Sequence, residues 1–337
     1  MIEDASRQVV GWVRADFGLD LTTMDEVTHG ADQHARLWLA RAADGARYAV
    51  KLSGGGTPAG LVVTAHLAGQ GVPGIPAPLR TRDGRLCGDR DGRRLSVVPW
   101  VSDHRALDGP MTEAHWRTYG ELLAAVHAVP VTAELMRLLP PGGAAYPAIV
   151  AGTRAMAERL RDPDPADPAG PLLAELAGVW SAVADRVSAL TREVERRAAD
   201  PAGPVVVCHG DPHLGNLLLG PDGQVWLIDW DDAVLAPPEC DLMFVIGGVL
   251  AFAPITAEQE MAVLAGYGRV DVDPARLAWF LAVRALDDLS DWTRQALDTS
   301  ASAADRARSA GIVRGLVSPV GLVTLADAAL RDLDQVR

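Results

Sequence analysis

Val205-Val206-Val207-Cys208-His209-Gly210-Asp211-Pro212-His213-Leu214-Gly215-Asn216 leads into Leu217-Leu218-Leu219, then Gly220-Pro221-Asp222-Gly223, then Val225-Trp226-Leu227-Ile228-Asp229-Trp230-Asp231. An apolar strand runs into a polar loop, and a strand-turn-strand hairpin follows. Antiparallel pairing of Leu217–Leu219 with Val225–Ile228 sets the two open ends of the hairpin side by side. Those ends are Asn216 and Asp229. An amide oxygen and a carboxylate therefore converge, with Asp211 close by. Such an all-oxygen set suits Mg²⁺ and leaves room for waters and nucleotide phosphates. In the loop, Asp211 can accept a hydrogen bond from a substrate hydroxyl and take its proton late in a phosphoryl transfer. Taken alone, an Asx-turn before Pro212 explains Asp211 equally well, and polar caps explain the hairpin ends.

Working outward, Asn216 is the single asparagine of the chain, and Lys51 is the single lysine. Of the 31 Lys and Arg in total, all but Lys51 are arginine. Codon bias from a GC-rich genome accounts for the scarcity, and chemistry is a reason for the two exceptions. Lys51 ends the apolar strand Tyr48-Ala49-Val50-Lys51-Leu52. Ala49 and Lys51 share one face of it, and Val50 and Leu52 share the other. A small Ala49 can pack on a flat adenine while Lys51 reaches the phosphates; the competing reading is a solvated surface lysine. Val97-Val98-Pro99-Trp100-Val101 ends the last strand before the pattern turns helical. Adenine needs a backbone acceptor and a donor two residues apart, and Pro99 C=O with Val101 N–H has that polarity. Thr28–His34, with one glycine, Gly30, lies where a phosphate-covering turn belongs; its backbone N–H groups can bind phosphate.

Asp-x4-Asn followed thirteen residues later by Asp resembles the catalytic and metal-binding core of the protein-kinase superfamily. With His-Gly-Asp in place of His-Arg-Asp, the chain resembles the aminoglycoside phosphotransferase and choline kinase family over nearly its whole length. Leu227–Phe244 and Gly71–Thr81 look like the spectinomycin-phosphotransferase group within it. The resemblance implies an α+β, bilobal protein-kinase-like fold, with an antiparallel-sheet N-lobe and a mainly helical C-lobe. It implies that Asp211 is the catalytic base, that His209 braces its loop, and that Asn216 and Asp229 ligate magnesium. Asp231 would position metal water or substrate, and Glu239 and Asp241 would cap and brace the metal hairpin. One departure stands out. Kinases supply a glutamate to the strand lysine from the following helix, whereas Leu61–Gly71 contains no acidic residue. Lys51 is expected to lean on Asp229 or on phosphate alone.

The rest of the chain bounds the class. Hydrophobic residues make up 49% and charged residues 22%, as in a globular protein. The net charge of −13 argues against nucleic acid and suits a cationic small molecule, although general solubility explains it too. Cys87, Cys208 and Cys240 have no metal spacing and leave an odd number. Met1-Ile2-Glu3-Asp4 opens no signal peptide, and runs such as Leu242–Pro254 are too short for a bilayer span, so a cytoplasmic location is expected.

The first hundred residues read largely as strands, with a hairpin at Asp44-Gly45 and a short helix over Leu61–Gly71. A helix follows Thr112, and Leu172 to Val194 reads as one long helix. The domains expected are 1–101, a nucleotide-binding lobe with its hinge at about 97–101, and 102–337, a helical lobe with an insertion at about 140–200. On Pro274–Leu297, Asp287 and Asp291 share a face. With Asp288 they make a candidate contact for a cationic acceptor; the competing reading is a solvated surface with Asp288 paired to Arg284. The function expected is ATP-dependent, magnesium-dependent transfer of phosphate to a hydroxyl of an aminoglycoside-like or aminocyclitol-like antibiotic, with GTP open as the donor. Metabolite kinases of choline, homoserine or methylthioribose type, and a regulatory pseudokinase, are the alternatives.

Overall fold

Side chains alternate across a pleated strand, and that alternation sorts the N-terminal residues of this chain into two faces. In a computed structural model describing residues 4–27, 35–162, 168–198, 202–249 and 253–335, the chain begins α1 (Asp4–Phe17), β1 (Leu21–Glu26), β2 (Ala35–Ala42), β3 (Arg47–Ser53), α2 (Ala59–Gly69), β4 (Gly88–Arg90), β5 (Arg93–Pro99) and β6 (His104–Arg105). There follow α3 (Glu113–His127), α4 (Ala133–Leu138), α5 (Tyr146–Arg161), α6 (Gly170–Ala182), α7 (Ala184–Arg196) and β7 (Val206–Cys208). Next come β8 (Leu217–Leu219), β9 (Val225–Leu227), β10 (Val234–Ala236) and α8 (Glu239–Ile246). The chain closes with α9 (Ala257–Tyr267), α10 (Pro274–Leu297), α11 (Ala303–Leu316) and α12 (Leu322–Gln335). Two compact units form: Met1–Leu139 with His209–Ala233 and Ala262–Gly268, and Pro140–Cys208 with Val234–Met261 and Arg269–Arg337.

In the first unit, β1-β2-β3-β5-β4 make an antiparallel sheet. Trp38 and Ala40 of β2, Val50 and Leu52 of β3, and Leu95 and Val97 of β5 face one way. They bury against Val9 and Val13 of α1, an amphipathic helix where the sequence reads mostly as strands. The opposite face is left to Ala49 and Lys51, with Lys51 in register between Leu37 and Ser96. Helix α3 starts on Thr112, whose hydroxyl accepts from His115 N–H. His115 completes the capping box: Nδ1 accepts from Thr112 N–H at 3.1 Å, so Nε2 carries the proton and donates to Gly220 O at 3.0 Å. One imidazole thus starts α3 and pins the tip of the β8–β9 hairpin.

The second unit is helical, built around α10 with α5, α7, α8, α11 and α12. It also contains the β7–β10 pair. The single helix expected from Leu172 to Val194 is two, α6 and α7, broken at Val183 (φ −118, ψ 10). The buried positions Leu173, Leu176, Trp180, Val183, Val187, Leu190 and Val194 repeat strictly every three and four residues. A straight helix drifts about 20° per such heptad, and the break at Val183 returns the apolar stripe to the core. Glu239 also departs from expectation. It accepts from Asp273 N–H at 2.9 Å and Arg276 at 2.8 Å, so it anchors the start of α10 instead of bracing the hairpin. Asp241 lies buried in the first turn of α8.

Trp38 is wholly buried in the first unit's sheet. Trp38→Ala is expected to lower unfolding stability by about 3–5 kcal/mol, measured by denaturant titration; a loss under about 1 kcal/mol would show that the sheet core does not rest on this ring.

Candidate active site

The loop after β7 is held by one buried imidazole. His209 Nε2 donates to Ile228 O at 2.8 Å, and its Nδ1 accepts from Asp211 N–H at 3.2 Å. The ring, wholly buried, meets Trp230 edge to face with centroids 4.6 Å apart. Gly210 must be glycine: φ is +85, and a Cβ there would lie 2.2 Å from Asp232 O. From α3, Tyr119 donates its hydroxyl to Pro212 O at 2.7 Å. The Asp211 carboxylate that results is only 16% exposed. His213, to which the sequence assigns no role, lies beside it. Its Nδ1 accepts from Gly215 N–H at 2.8 Å, so a neutral ring carries its proton on Nε2, 3.5 Å from Asp211 Oδ2. The available signal was a second histidine two residues after the aspartate.

Pairing of β8 with β9 continues through Ile228 N–H to Asn216 O at 3.0 Å, which brings Asn216 next to Asp229 along the backbone. The Asn216 amide donates from Nδ2 to Asp211 O at 2.8 Å. That bond orients the amide and turns its oxygen acceptor away from the loop carbonyl. Asp229 adopts the left-handed region (φ 63, ψ 64), which Asp tolerates better than most residues. An amide oxygen and a carboxylate form a hard-oxygen donor set of the kind that holds Mg²⁺ with waters and phosphates, so these residues fit the metal expected from the sequence.

Lys51 faces this hairpin. Its Nζ lies 2.7 Å from Asp231 Oδ2 and 3.7 Å from Asp229 Oδ1. Asp229 was the expected neighbour; Asp231, expected at metal water or substrate, makes the shorter contact. Helix α2 brings no acid but packs on the same turn. Pro99 ends β5 against Tyr48 of β3, and Trp100 N–H donates to Arg47 O at 2.9 Å. Alternation then turns the Pro99 carbonyl to the edge away from β3, two residues before Val101. Gly30 and the rest of Thr28–His34 lie outside the described residues.

Asp287, Asp288 and Asp291 belong to α10 in the second unit. Asp288 pairs with Arg284 at 2.8 Å, and Asp291 takes Arg294 and Gln295. Asp287 reaches solvent, yet enough protein surrounds it that desolvation, then Asp288, raises its carboxyl above the ordinary range.

Comparison with known proteins agrees with this architecture. Spectinomycin phosphotransferase, crystallised with ADP and spectinomycin, superposes with a TM-score of 0.84 at 23% identity, over 96% of this chain and 98% of that one. An aminoglycoside phosphotransferase from Alicyclobacillus acidocaldarius gives 0.57 at 18% identity, over 94% and 93%. An amicoumacin kinase, in complex with AMP-PNP and Ca²⁺, gives 0.61 at 14%, over 95% of each. These likenesses establish an α+β fold of the protein-kinase-like type. A model described as the phosphotransferase enzyme family matches residues 26–280, and the chain belongs to that family. Among the described residues, no helix is long and apolar enough to cross a membrane.

Because the folded-state pKa of Asp287 is raised, ionising it opposes folding: its contribution is present below the unfolded carboxylate pKa and is lost as pH rises through the folded value. Asp287→Asn is therefore expected to raise Tm at pH 7, with the gain vanishing in acid below the carboxylate range. A gain independent of pH would assign the effect to something other than this carboxyl.

Proposed function

We propose that this enzyme moves the γ-phosphate of ATP to a hydroxyl of a cationic small molecule of the aminoglycoside or aminocyclitol type, in the cytoplasm and with magnesium. The observation that carries the reading is the Asn216 side chain. Its Nδ2 donates to the Asp211 backbone carbonyl at 2.8 Å, so the residue assigned to the metal is fastened to the backbone of the residue assigned as base. Lys51 is assigned to the nucleotide phosphates, Ala49 to the adenine face, and Pro99 O and Val101 N–H to the adenine edge. Asp211 orients the acceptor hydroxyl and takes its proton as the oxygen–phosphorus bond forms. Asn216 and Asp229 would hold magnesium, which supplies charge neutralisation at the phosphates. The antibiotic class is proposed from the spectinomycin bound to one structural relative and from the net charge of −13. Asp287, Asp288 and Asp291 are the proposed contacts for the acceptor's ammonium groups.

A panel of cationic antibiotics and hydroxylated metabolites, incubated with γ-labelled ATP, tests the acceptor class. Label is expected in an aminocyclitol or aminoglycoside; exclusive labelling of choline or another metabolite would replace that assignment. Asp211→Asn is expected to lower kcat about 10²–10⁴-fold with nucleotide affinity retained within severalfold. Near-normal kcat in this variant removes Asp211 as the base. Asp229→Asn should raise the magnesium concentration needed for half-maximal rate more than Asn216→Ala does, since it removes a full charge where the other removes a dipole. Magnesium titrations that superpose on wild type would withdraw both residues from the metal site.

A further inference from the structure

Helix α2 reads Ala-Gly-Leu-Val-Val-Thr-Ala-His-Leu-Ala-Gly and has no carboxylate with which to hold Lys51. The geometry points to a substitute: we infer that Asp231 is the residue that positions Lys51. This inference rests on the proposed role of Lys51 at the nucleotide phosphates. Two observations support it. Asp231 Oδ2 accepts from Lys51 Nζ at 2.7 Å, with Asp229 further away at 3.7 Å. The other oxygen, Oδ1, faces the first turn of α2, where a Cβ added at Gly60 would lie 3.1 Å from it and 2.8 Å from Trp230 O. One carboxylate thus lies between the cation of β3 and the start of α2, where the helix dipole also favours negative charge.

The arrangement has a chemical consequence. Asp231 lies in the short turn Trp230–Asp232, and Asp229 is the residue that opens that turn. The lysine assigned to the phosphates and the carboxylate assigned to the metal are then set by one rigid segment, which Trp230 fastens by donating from Nε1 to Leu227 O at 3.0 Å. A helix-borne acid would leave lysine placement free to vary with helix position. Here α2 is seated by close approach at Gly60, and the charge is supplied from the hairpin. An ammonium has three donors, so Lys51 can keep Asp231 while its other hydrogens reach phosphate.

The test uses the whole protein and slow hydrolysis of ATP, with water as acceptor, so that no antibiotic need be known. KM for ATP and kcat are measured for wild type, Asp231→Asn, Asp231→Glu, Lys51→Ala and the double variant Lys51→Ala with Asp231→Asn. Misplacing a reacting group by about an ångström costs up to about a hundredfold. Asp231→Asn is expected to lower kcat/KM for ATP by roughly ten- to a hundredfold, mostly through KM. Asp231→Glu, which restores the charge, should recover part of that loss, an outcome a merely structural role does not produce. In the Lys51→Ala background, Asp231→Asn should add no further loss, because the group it positions is gone. Wild-type hydrolysis in Asp231→Asn overturns the inference, as does a loss that adds fully to that of Lys51→Ala. If Lys51→Ala itself hydrolyses ATP normally, the phosphate role beneath the inference fails. If only Lys51→Ala is impaired, that role stands and Asp231 is not its positioning residue.

Discussion

Everything at this site depends on the His209 imidazole. It donates to Ile228 O and accepts from Asp211 N–H, so a single buried ring joins the loop that bears Asp211 to the strand that ends at Asp229. Both ring nitrogens are used, which fixes the tautomer: the proton sits on Nε2. No aliphatic side chain can replace such a group, because it would supply neither the donor to the Ile228 carbonyl nor the acceptor for Asp211 N–H. The packing agrees with the bonding. Trp230 covers the ring, Gly210 lets the chain pass within contact of Asp232, and Tyr119 closes the loop from α3.

Neutral donors and backbone carbonyls therefore do the structural work, while the carboxylates stay partly solvated. Asp229 and Asp231 are more than half exposed at their side chains. That division suits the proposed binding of nucleotide phosphates and a divalent cation. Carboxylates already buried and fully paired would have to break those pairs on binding. Exposed ones exchange water for ligand at less cost.

Much of this was legible along the chain because the decisive contacts are local. Asp211 to Asn216 is one loop, and Asn216 to Asp229 is one hairpin, so spacing alone brings them together. Alternation along β3 separates Lys51 from Val50 and Leu52 in the same way. What was not legible depends on distant pairing or on small backbone departures. The contact between Lys51 and Asp231 spans 180 residues, and spacing could not choose Asp231 over Asp229 when both lie on one turn. The break at Val183 carries no proline or glycine, so no residue there announces it. The family resemblance over Leu227–Phe244 places Glu239 at the hairpin, whereas its partners, Asp273 and Arg276, arrive with α10. The helix α1 was read as part of a strand-rich region, although Val9 and Val13 are one turn apart.

The solitary lysine has a practical meaning for anyone who handles the protein. Arginine cannot be acylated by amine-directed reagents, so Lys51 is the one side-chain primary amine the polypeptide offers. It is 28% exposed and lies against a carboxylate. Covalent labelling at that amine is thus a readout of a single, chemically defined position. Protection by a bound ligand would appear as the disappearance of one modified peptide, with no background from other lysines to subtract.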